Sequence, residues 1–233
     1  IREVAVTTNG TLLEDQLPGL LAAGLTGVNI SLDTLREETF RQITRREGVG
    51  RTVAAIDACL AAGLPVKVNC VPIAQEEELV ELAGLAKDRP LAVRFIELMP
   101  IGLGKDLCGR REDELRALLE RAYGPMAPYE GHLGSGPSRY VAPSGFQGQI
   151  GFISSLSHQF CDRCNRVRLT ANGFLKTCLQ YDRGMWLRPL LGGPDEGLEE
   201  AILAAVRDKP AAHQFAKGQV AGGERHIMSQ IGG

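Results

Sequence analysis

The fold is predicted from two similar segments, LAAGLTGVNIS at residues 21–31 and LAAGLPVKVNC at residues 60–70. Each starts as the end of a helix, reaches a glycine of the kind that closes helices, and continues into an apolar run typical of a buried strand. The repeat therefore predicts two successive βα units. The same pattern, extended in both directions, predicts strands at residues 4–7, 28–31, 67–71 and 92–97, and helices at residues 13–23, 37–43, 51–62 and 76–86.

Alternating strands and helices of these lengths predict parallel strands joined by crossover helices. Two fold classes satisfy the pattern, a (β/α) barrel and an open, doubly wound sheet, and in both classes ligands bind at the C-terminal strand ends. The predicted strand ends carry polar residues, in the sequences TTNG, SLDT, VNC and ELMP. These residues either line a common cavity or are ordinary turn residues.

The composition changes after a charged helix predicted at residues 111–121. Residues 123–149 are rich in glycine, proline and serine, and within them RYVA and the start of QIGFIS have the length of short antiparallel strands. A further helix is predicted within residues 192–210. We therefore predict a βα domain at residues 1–123 and a second domain at residues 124–233.

The charge and hydropathy of the sequence argue against a nucleic-acid-binding protein and a membrane protein. The formal net charge is −2, from 26 basic and 28 acidic residues, so no strong field favours nucleic acid or a membrane surface. The sequence contains no apolar run of about 18 residues and does not start like a signal peptide. We expect a cytoplasmic protein with neither a membrane nor a nucleic acid as partner.

Two cations interrupt apolar strand sequences. Lys67 lies in PVKVNCV and Arg94 in LAVRFIEL, where an unpaired charge is costly to bury. A salt bridge, for example from Arg94 to Glu97, would satisfy this cost. A bound anion would satisfy it equally, and both interpretations stay open.

Three cysteines cluster in SHQFCDRCNRVRLTANGFLKTC, residues 157–178, at Cys161, Cys164 and Cys178. A structural zinc site needs four ligands, and His158 could complete a Cys3His set. Alternatively, the cysteines hold an iron–sulfur cluster, which normally takes four thiolates, so that three would leave one iron open to a substrate. Spacing alone does not separate these two interpretations.

Two arginines follow the close cysteine pair. Strand periodicity sends Arg166 and Arg168 to one face, and Val167 and Leu169 to the other. Two guanidinium groups at this spacing form a fork that suits phosphate oxygens. The alternative is a pair of solvated arginines on an edge strand.

Together with TTNG, NISLDT, VRFIELMP and a terminal IGG, the segment FCDRCNRVRLTANGFLKTCL resembles the MoaA family. These are radical S-adenosylmethionine (SAM) enzymes, the GTP 3',8-cyclases of molybdenum cofactor biosynthesis. The most specific motif is C-x2-C-x13-C with N-R-x-R after its second cysteine, and the resemblance runs along essentially the whole chain. It implies an α/β fold, a partial (β/α) TIM-type barrel with a C-terminal α+β extension. It also implies a 4Fe-4S cluster that cleaves SAM to a 5'-deoxyadenosyl radical, and a second 4Fe-4S cluster that binds GTP.

The resemblance also assigns individual residues. The positions that match the ligands of the GTP-binding cluster are Cys161, Cys164 and Cys178. The positions that match residues contacting GTP or lining its site are Thr7, Lys67, Arg94, Arg166 and Arg168. The positions that match SAM-binding residues are Ser31 and Met99, and a double-glycine tail that reaches the active site is matched by Gly232 and Gly233.

One departure from the family pattern is large. The C-x3-C-x2-C motif that holds the SAM-cleaving cluster does not occur, and the first cysteine, Cys59, lies in a predicted helix. We therefore expect an N-terminally truncated member that lacks its first barrel strands, whose other 4Fe-4S cluster belongs to the missing segment, and which does not generate the radical alone. The partners implied are GTP as substrate, a downstream cyclic pyranopterin monophosphate synthase and a second copy in a homodimer.

Two other functions are compatible with parts of this pattern. One is a nucleotide-binding module stabilised by Cys3His zinc, without redox chemistry. The other is a radical SAM enzyme that modifies a peptide and holds auxiliary clusters. The N-R-x-R sequence and the terminal double glycine favour the cyclase.

Overall fold

The computed structural model describes residues 1–134 and 136–215. Its strands are β1 Ala5–Thr8, β2 Gly27–Ser31, β3 Val66–Cys70, β4 Ala92–Ile96, β5 Met126–Pro128, β6 Arg139–Pro143, β7 Gln149–Ile153, β8 Arg168–Leu169, β9 Phe174–Lys176 and β10 Gly184–Trp186. Its α-helices are α1 Leu13–Ala22, α2 Glu37–Thr44, α3 Val49–Ala61, α4 Glu76–Ala83, α5 Leu85–Asp88, α6 Glu112–Tyr123 and α7 Asp195–Arg207. The four strands predicted around the repeat are confirmed, as are the short strands in RYVA and QIGFIS.

The main sheet has seven strands in the order β1-β2-β3-β4-β7-β6-β5. Strands β1 to β4 and β7 run parallel, whereas β6 and β5 are added antiparallel. This mixed sheet with its connecting helices confirms the α/β class. The first four strands are neighbours in sequence order, as in a singly wound sheet, and the order does not reverse as it does in a doubly wound one. Among the described residues the sheet is open, with β1 and β5 at its edges.

The two faces of the parallel strands differ in chemistry because alternate side chains point to opposite sides. One face is apolar and consists of Val28, Ile30, Val66, Val68, Cys70, Val93, Phe95, Ile150 and Phe152, all buried. Buried residues of all six helices from α1 to α6 belong to the same hydrophobic cluster. The opposite face is therefore left for polar residues, and it carries the first candidate site.

The helix predicted at residues 76–86 is two helices, α4 and α5, divided at Gly84. The Tyr123 hydroxyl group, at the end of α6, donates a hydrogen bond to the Val80 carbonyl oxygen (2.8 Å). A Cβ atom at residue 84 would lie 2.8 Å from that hydroxyl oxygen, so the approach of Tyr123 requires glycine. Glycine also weakens a helix at this point, which explains the division.

The chain forms two compact units. The first, Ile1–Leu98 with Gly109–Ser157, contains the seven-stranded sheet. The second is Met99–Cys108 with the described part of His158–Gly233, and it contains the antiparallel sheet β10-β9-β8 and α7. This division differs from the boundary predicted after residue 123, because β5, β6 and β7 hydrogen-bond into the sheet of the first unit. The functional domains 1–123 and 124–233 stay a prediction.

The hydrophobic cores of the units differ in extent. The first unit buries the apolar sheet face in one cluster with residues of six helices, α1 to α6. In the second unit, the described core consists of Leu175, Leu187 and Ala205, with Met185, Leu190, Leu198 and Ala201 packed around it. None of the described helices combines the length and the apolar character that a membrane span needs.

Candidate functional site

The polar face of the first unit gathers residues from four neighbouring strands. Its side chains form two rows along the strand registers: Thr7, Asn29 and Lys67 in one, and Ser31, Asn69 and Arg94 in the other. The Asn29 amide Nδ2 donates a hydrogen bond to Thr7 Oγ1 (3.3 Å), which connects the first two strands. Four of the predicted site residues, Thr7, Ser31, Lys67 and Arg94, thus lie on one face.

Arg94 is a buried cation whose side-chain partners are neutral. Its side chain donates from Nε to Asn69 Oδ1 (2.9 Å) and from Nη2 to Asn29 Oδ1 (2.8 Å), and the residue is only 8% exposed. Among the described residues it forms no ion pair, so the alternative salt bridge to Glu97 is absent there. Because the amide oxygens fix the guanidinium group without neutralising it, its charge is available to an anionic ligand.

Glu97 has a different task. Its Oε2 atom accepts hydrogen bonds from the amide N–H groups of Leu156 (2.6 Å) and Ser157 (2.9 Å). The carboxylate therefore ties the end of β4 to the segment after β7. Its Oε1 atom is buried and has no hydrogen-bond partner among the described residues.

Lys67 is the second cation of the polar face. Burial lowers the pKa of its ammonium group, the charge of Arg94 lowers it further, and Glu3 raises it. The loop before β6 approaches the same group, since a Cβ atom at Gly134 would lie 2.9 Å from Lys67 Nζ. The backbone at Gly134 also has φ +84°, which favours glycine. A bound anion would relieve the repulsion between the two cations, so the pair suits a phosphate or carboxylate.

The strand-end residues have mostly local roles. The Asp33 carboxylate accepts a hydrogen bond from the Val71 amide N–H (2.8 Å), and burial raises its pKa while this hydrogen bond lowers it. The buried Thr34 hydroxyl group donates to Glu78, which connects this turn to α4. The turn interpretation therefore holds for Asp33 and Thr34, and the site residues lie within the strands.

The second unit carries the cysteine motif on a short antiparallel hairpin. Cys161 opens a 3-10 turn, and the Cys164 amide donates a hydrogen bond to the Cys161 carbonyl oxygen (3.2 Å). In the pairing of β8 with β9, Arg168 lies opposite Lys176. Cys164 and Cys178 both lie near Arg168, because the charge of each sulfur atom acts on its guanidinium group. All three cysteines are half-buried and free of disulfide bonds.

The burial of side chains around β8 is the reverse of an ordinary surface strand. Arg166 and Arg168 are half-buried, whereas Val167 and Leu169 are 47% and 64% exposed. The predicted alternation is therefore present, with both arginines on the protected side. Burial lowers the pKa of Arg168, and negative charge on the Cys164 and Cys178 sulfur atoms raises it.

The thiol groups fit an iron–sulfur cluster in their chemistry. The described residues contain no group of three His, Cys, Asp or Glu side chains already arranged around a metal position, so neither the cluster ligands nor a Cys3His set with His158 is preformed in them. Cluster ligands are thiolates, and the cation of Arg168 lies near Cys164 and Cys178.

The remaining cysteines have other environments. Cys59 and Cys70 are fully buried in the core of the first unit, and burial raises the pKa of both thiols. Cys108 is exposed. The clustered cysteines are therefore the metal-ligand candidates among the six.

The remaining predicted site residues are the SAM-binding positions Ser31 and Met99 and the two glycines of the tail. Ser31 ends β2 in the first unit, whereas Met99 opens the second unit. Gly232 and Gly233 lie outside the described residues. The SAM and tail assignments stay predictions.

Three residues of these sites were missed from the sequence: Asn29, Asn69 and Lys209. The alternation in GVNIS and VKVNC could have found the asparagines, because it places them on the face of Ser31 and Lys67. Lys209 donates hydrogen bonds to the loop that contains Cys164. Its only sequence signal is a place between a helix and Pro210.

Comparison with known families separates the chain into two matches. Residues 1–86 match the Radical SAM superfamily, and residues 91–215 match the family described as Molybdenum Cofactor Synthesis C. The first match contains most of the polar face, and the second contains Arg94 and the cysteine motif.

Curated relatives are similar over all or most of the chain. The GTP 3',8-cyclase of Clostridium perfringens (strain 13 / Type A) is 39% identical over 237 residues, which cover 100% of this chain and 73% of that protein. The GTP 3',8-cyclase of Moorella thermoacetica is 41% identical over 240 residues, with the same coverage. Molybdenum cofactor biosynthesis protein moc-5 of Caenorhabditis elegans is 41% identical over 221 residues, which cover 91% of this chain and 36% of that protein.

Proposed function

Because this chain belongs to the MoaA family of radical SAM enzymes, the GTP 3',8-cyclases of molybdenum cofactor biosynthesis, we propose that Cys161, Cys164 and Cys178 hold a 4Fe-4S cluster that binds GTP. The observation that carries the proposal is the hairpin of the second unit. This hairpin and the turn before it contain three cysteines that are free of disulfide bonds and two half-buried arginines. Three thiolates leave one iron free, and the guanine base supplies the ligand for it.

The arginines of the hairpin bind the triphosphate. Arg166 and Arg168 occupy alternate positions on one face, so their guanidinium groups form a fork for phosphate oxygens. Partial burial strengthens this interaction, because water screens a protected charge less than an exposed one. The exposed Val167 and Leu169 take no part in it.

The polar face of the first unit serves the same reaction. Lys67 and Arg94 bind anionic groups of GTP, and Thr7 offers a hydroxyl group beside them. Asn29 and Asn69 hold Arg94 in place through the two hydrogen bonds to its guanidinium group. Because these amide groups are neutral, they leave the charge of Arg94 unneutralised, and it can interact with an anionic group of GTP.

SAM is the second small molecule that the family implies, and together with a reduced 4Fe-4S cluster it supplies the radical that starts the cyclisation of GTP to (8S)-3',8-cyclo-7,8-dihydroguanosine 5'-triphosphate. Ser31 and Met99 bind SAM, and Gly232 and Gly233 act in the active site. A partial (β/α) barrel, a cytoplasmic location, homodimer formation and a downstream cyclic pyranopterin monophosphate synthase belong to the same proposal.

Anaerobic reconstitution of the purified chain tests the cluster. We expect a brown protein with roughly four irons and four acid-labile sulfides. GTP labelled with 15N in the guanine base should broaden or split the electron paramagnetic resonance signal of the reduced cluster. Stoichiometric zinc without sulfide would favour the zinc-stabilised module instead. An electron paramagnetic resonance signal that labelled GTP leaves unchanged would contradict the binding of GTP to the cluster.

A further inference from the structure

Lys209 makes three side-chain contacts with the cysteine motif. It lies two residues after the end of α7 and precedes Pro210, and a residue before proline disfavours the helical conformation. The chain therefore leaves the helix here. The Lys209 ammonium nitrogen donates to the carbonyl oxygens of Cys164 (2.7 Å) and Arg166 (2.9 Å) and lies 3.3 Å from Cys164 Sγ.

These three contacts account for all three N–H donors of a lysine ammonium group. Two of them hold the backbone on either side of residue 165, and the third points to a sulfur atom. A neutral thiol is a weak hydrogen-bond acceptor, whereas a thiolate is a strong one. The arrangement therefore complements a charged sulfur at Cys164.

We propose that Lys209 is a positioning residue for the cluster of the second unit, which holds the 164–166 loop and makes the bound cluster easier to reduce through its N–H···S contact with Cys164. The inference rests on the proposed function, since it requires a cluster on Cys164. Lys209 acts through its contacts with Cys164 and Arg166.

The direction of the effect follows from charge. A 4Fe-4S cluster with three thiolate ligands carries a net negative charge, and one-electron reduction by an external reductant adds another. A cation close to a ligand sulfur stabilises the reduced form more than the oxidised form. Hydrogen bonds to ligand atoms act in the same direction, because they withdraw electron density from the metal. Loss of Lys209 should therefore lower the reduction potential.

The test is a reductive titration of the reconstituted full chain, without GTP, followed by electron paramagnetic resonance. Lys209→Met removes the charge and the donors, Lys209→Gln keeps an N–H donor without the charge, and Lys209→Arg keeps the charge. Arg207→Met is the matched control, because Arg207 is an exposed cation two residues away. We expect a more negative midpoint potential for Lys209→Met and Lys209→Gln, and wild-type behaviour for Lys209→Arg and the control.

A second readout is the rate at which a chelator removes iron from the oxidised protein. Lys209→Met should lose iron severalfold faster than wild type, because its loop is less firmly held. Wild-type potentials in both neutral variants would overturn the proposal. Loss of iron binding with loss of the folded circular dichroism signal would assign Lys209 to the fold alone and also overturn it. A wild-type chain that forms no cluster would instead refute the proposed function.

Discussion

The two units hold their cations in different ways. In the first unit, Arg94 lies between the neutral amide oxygens of Asn29 and Asn69, on regular parallel strands. In the second, Arg168 and Lys209 lie near the Cys164 sulfur, on short strands and loops. The first arrangement leaves the cation unneutralised, because its partners are uncharged. The second arrangement would be completed by negative charge on the sulfur atoms, which binding of the proposed cluster would supply.

The hydrophobic cores of the two units also indicate that only the second unit depends on a metal. The first unit buries a whole sheet face against helices. The described core of the second unit is the small group around Leu175, Leu187 and Ala205. Small units with little buried apolar surface often depend on a metal for stability. We therefore expect the cluster to stabilise the second unit and to leave the first nearly unchanged.

The largest effect should follow from replacing Cys161, Cys164 and Cys178 by serine together. Iron and sulfide should fall to background, and GTP binding through the cluster should be lost. Hydrogen exchange should become faster across residues 158–215, and stay the same in β1–β4. Cys108→Ser, which changes an exposed cysteine of the same unit, should retain the metal. Equal exchange in wild type and triple variant would remove the proposed difference between the units.

Removal of an arginine from the hairpin should have the next largest effect. Arg168→Ala in the cluster-loaded protein should weaken GTP binding by about 1–3 kcal/mol, the scale of a charge-assisted hydrogen bond, and Arg166→Ala should act similarly. Calorimetric titration with guanosine should show a much smaller loss, because guanosine lacks phosphates. Arg183→Ala, at an exposed arginine of the same unit, is the control. Equal losses for GTP and guanosine would assign the arginines to the fold.

Substitutions of Arg94 and Asn69 should distinguish an effect on GTP binding from an effect on the stability of the first unit. Arg94→Met should weaken GTP binding by about 1–3 kcal/mol without lowering the free energy of unfolding, because it removes a buried cation that has no ion-pair partner among the described residues. Asn69→Ala should lower that free energy by about 1–3 kcal/mol, since it leaves a buried guanidinium donor unsatisfied. Urea denaturation of the iron-free chain measures stability. The reverse pattern would make Arg94 structural.

The smallest expected effect is the pH dependence of stability and GTP binding that arises from Lys67. Burial and Arg94 lower the pKa of Lys67 from 10.5, so the folded state disfavours the charged ammonium group. This penalty on the free energy of unfolding is complete below the folded pKa and disappears as pH rises to 10.5. GTP binding should change in the opposite direction and weaken severalfold over the same window, as Lys67 loses its proton. Lys67→Arg should remove most of this pH dependence. An identical profile in the variant would exclude Lys67 as the titrating group.

Much of the first unit could be predicted from the sequence because its signals are local. Helix periodicity, closing glycines and β-branched runs located β1–β4 and α1–α3 to within a few residues. The division at Gly84 was missed because it depends on Tyr123 packing from another helix. In the second unit the motif C-x2-C-x13-C was visible, whereas the contact of Lys209 with Cys164 was not. Those residues are 45 positions apart, and no local pattern connects them.

The element types, the cysteine spacing and the alternation of residues within each strand can be read from the amino-acid sequence alone. The alignment of the strands depends on how they pack together. In the repeat, Asn29 corresponds to Val68, yet in the sheet Asn29 lies opposite Lys67. Burial explains this difference, because the strands must place Val28 and Val66 on the same apolar face, which shifts the register by one residue relative to the repeat. That shift brings Lys67 and Asn69 onto the polar face beside Arg94, where the candidate anion site is formed.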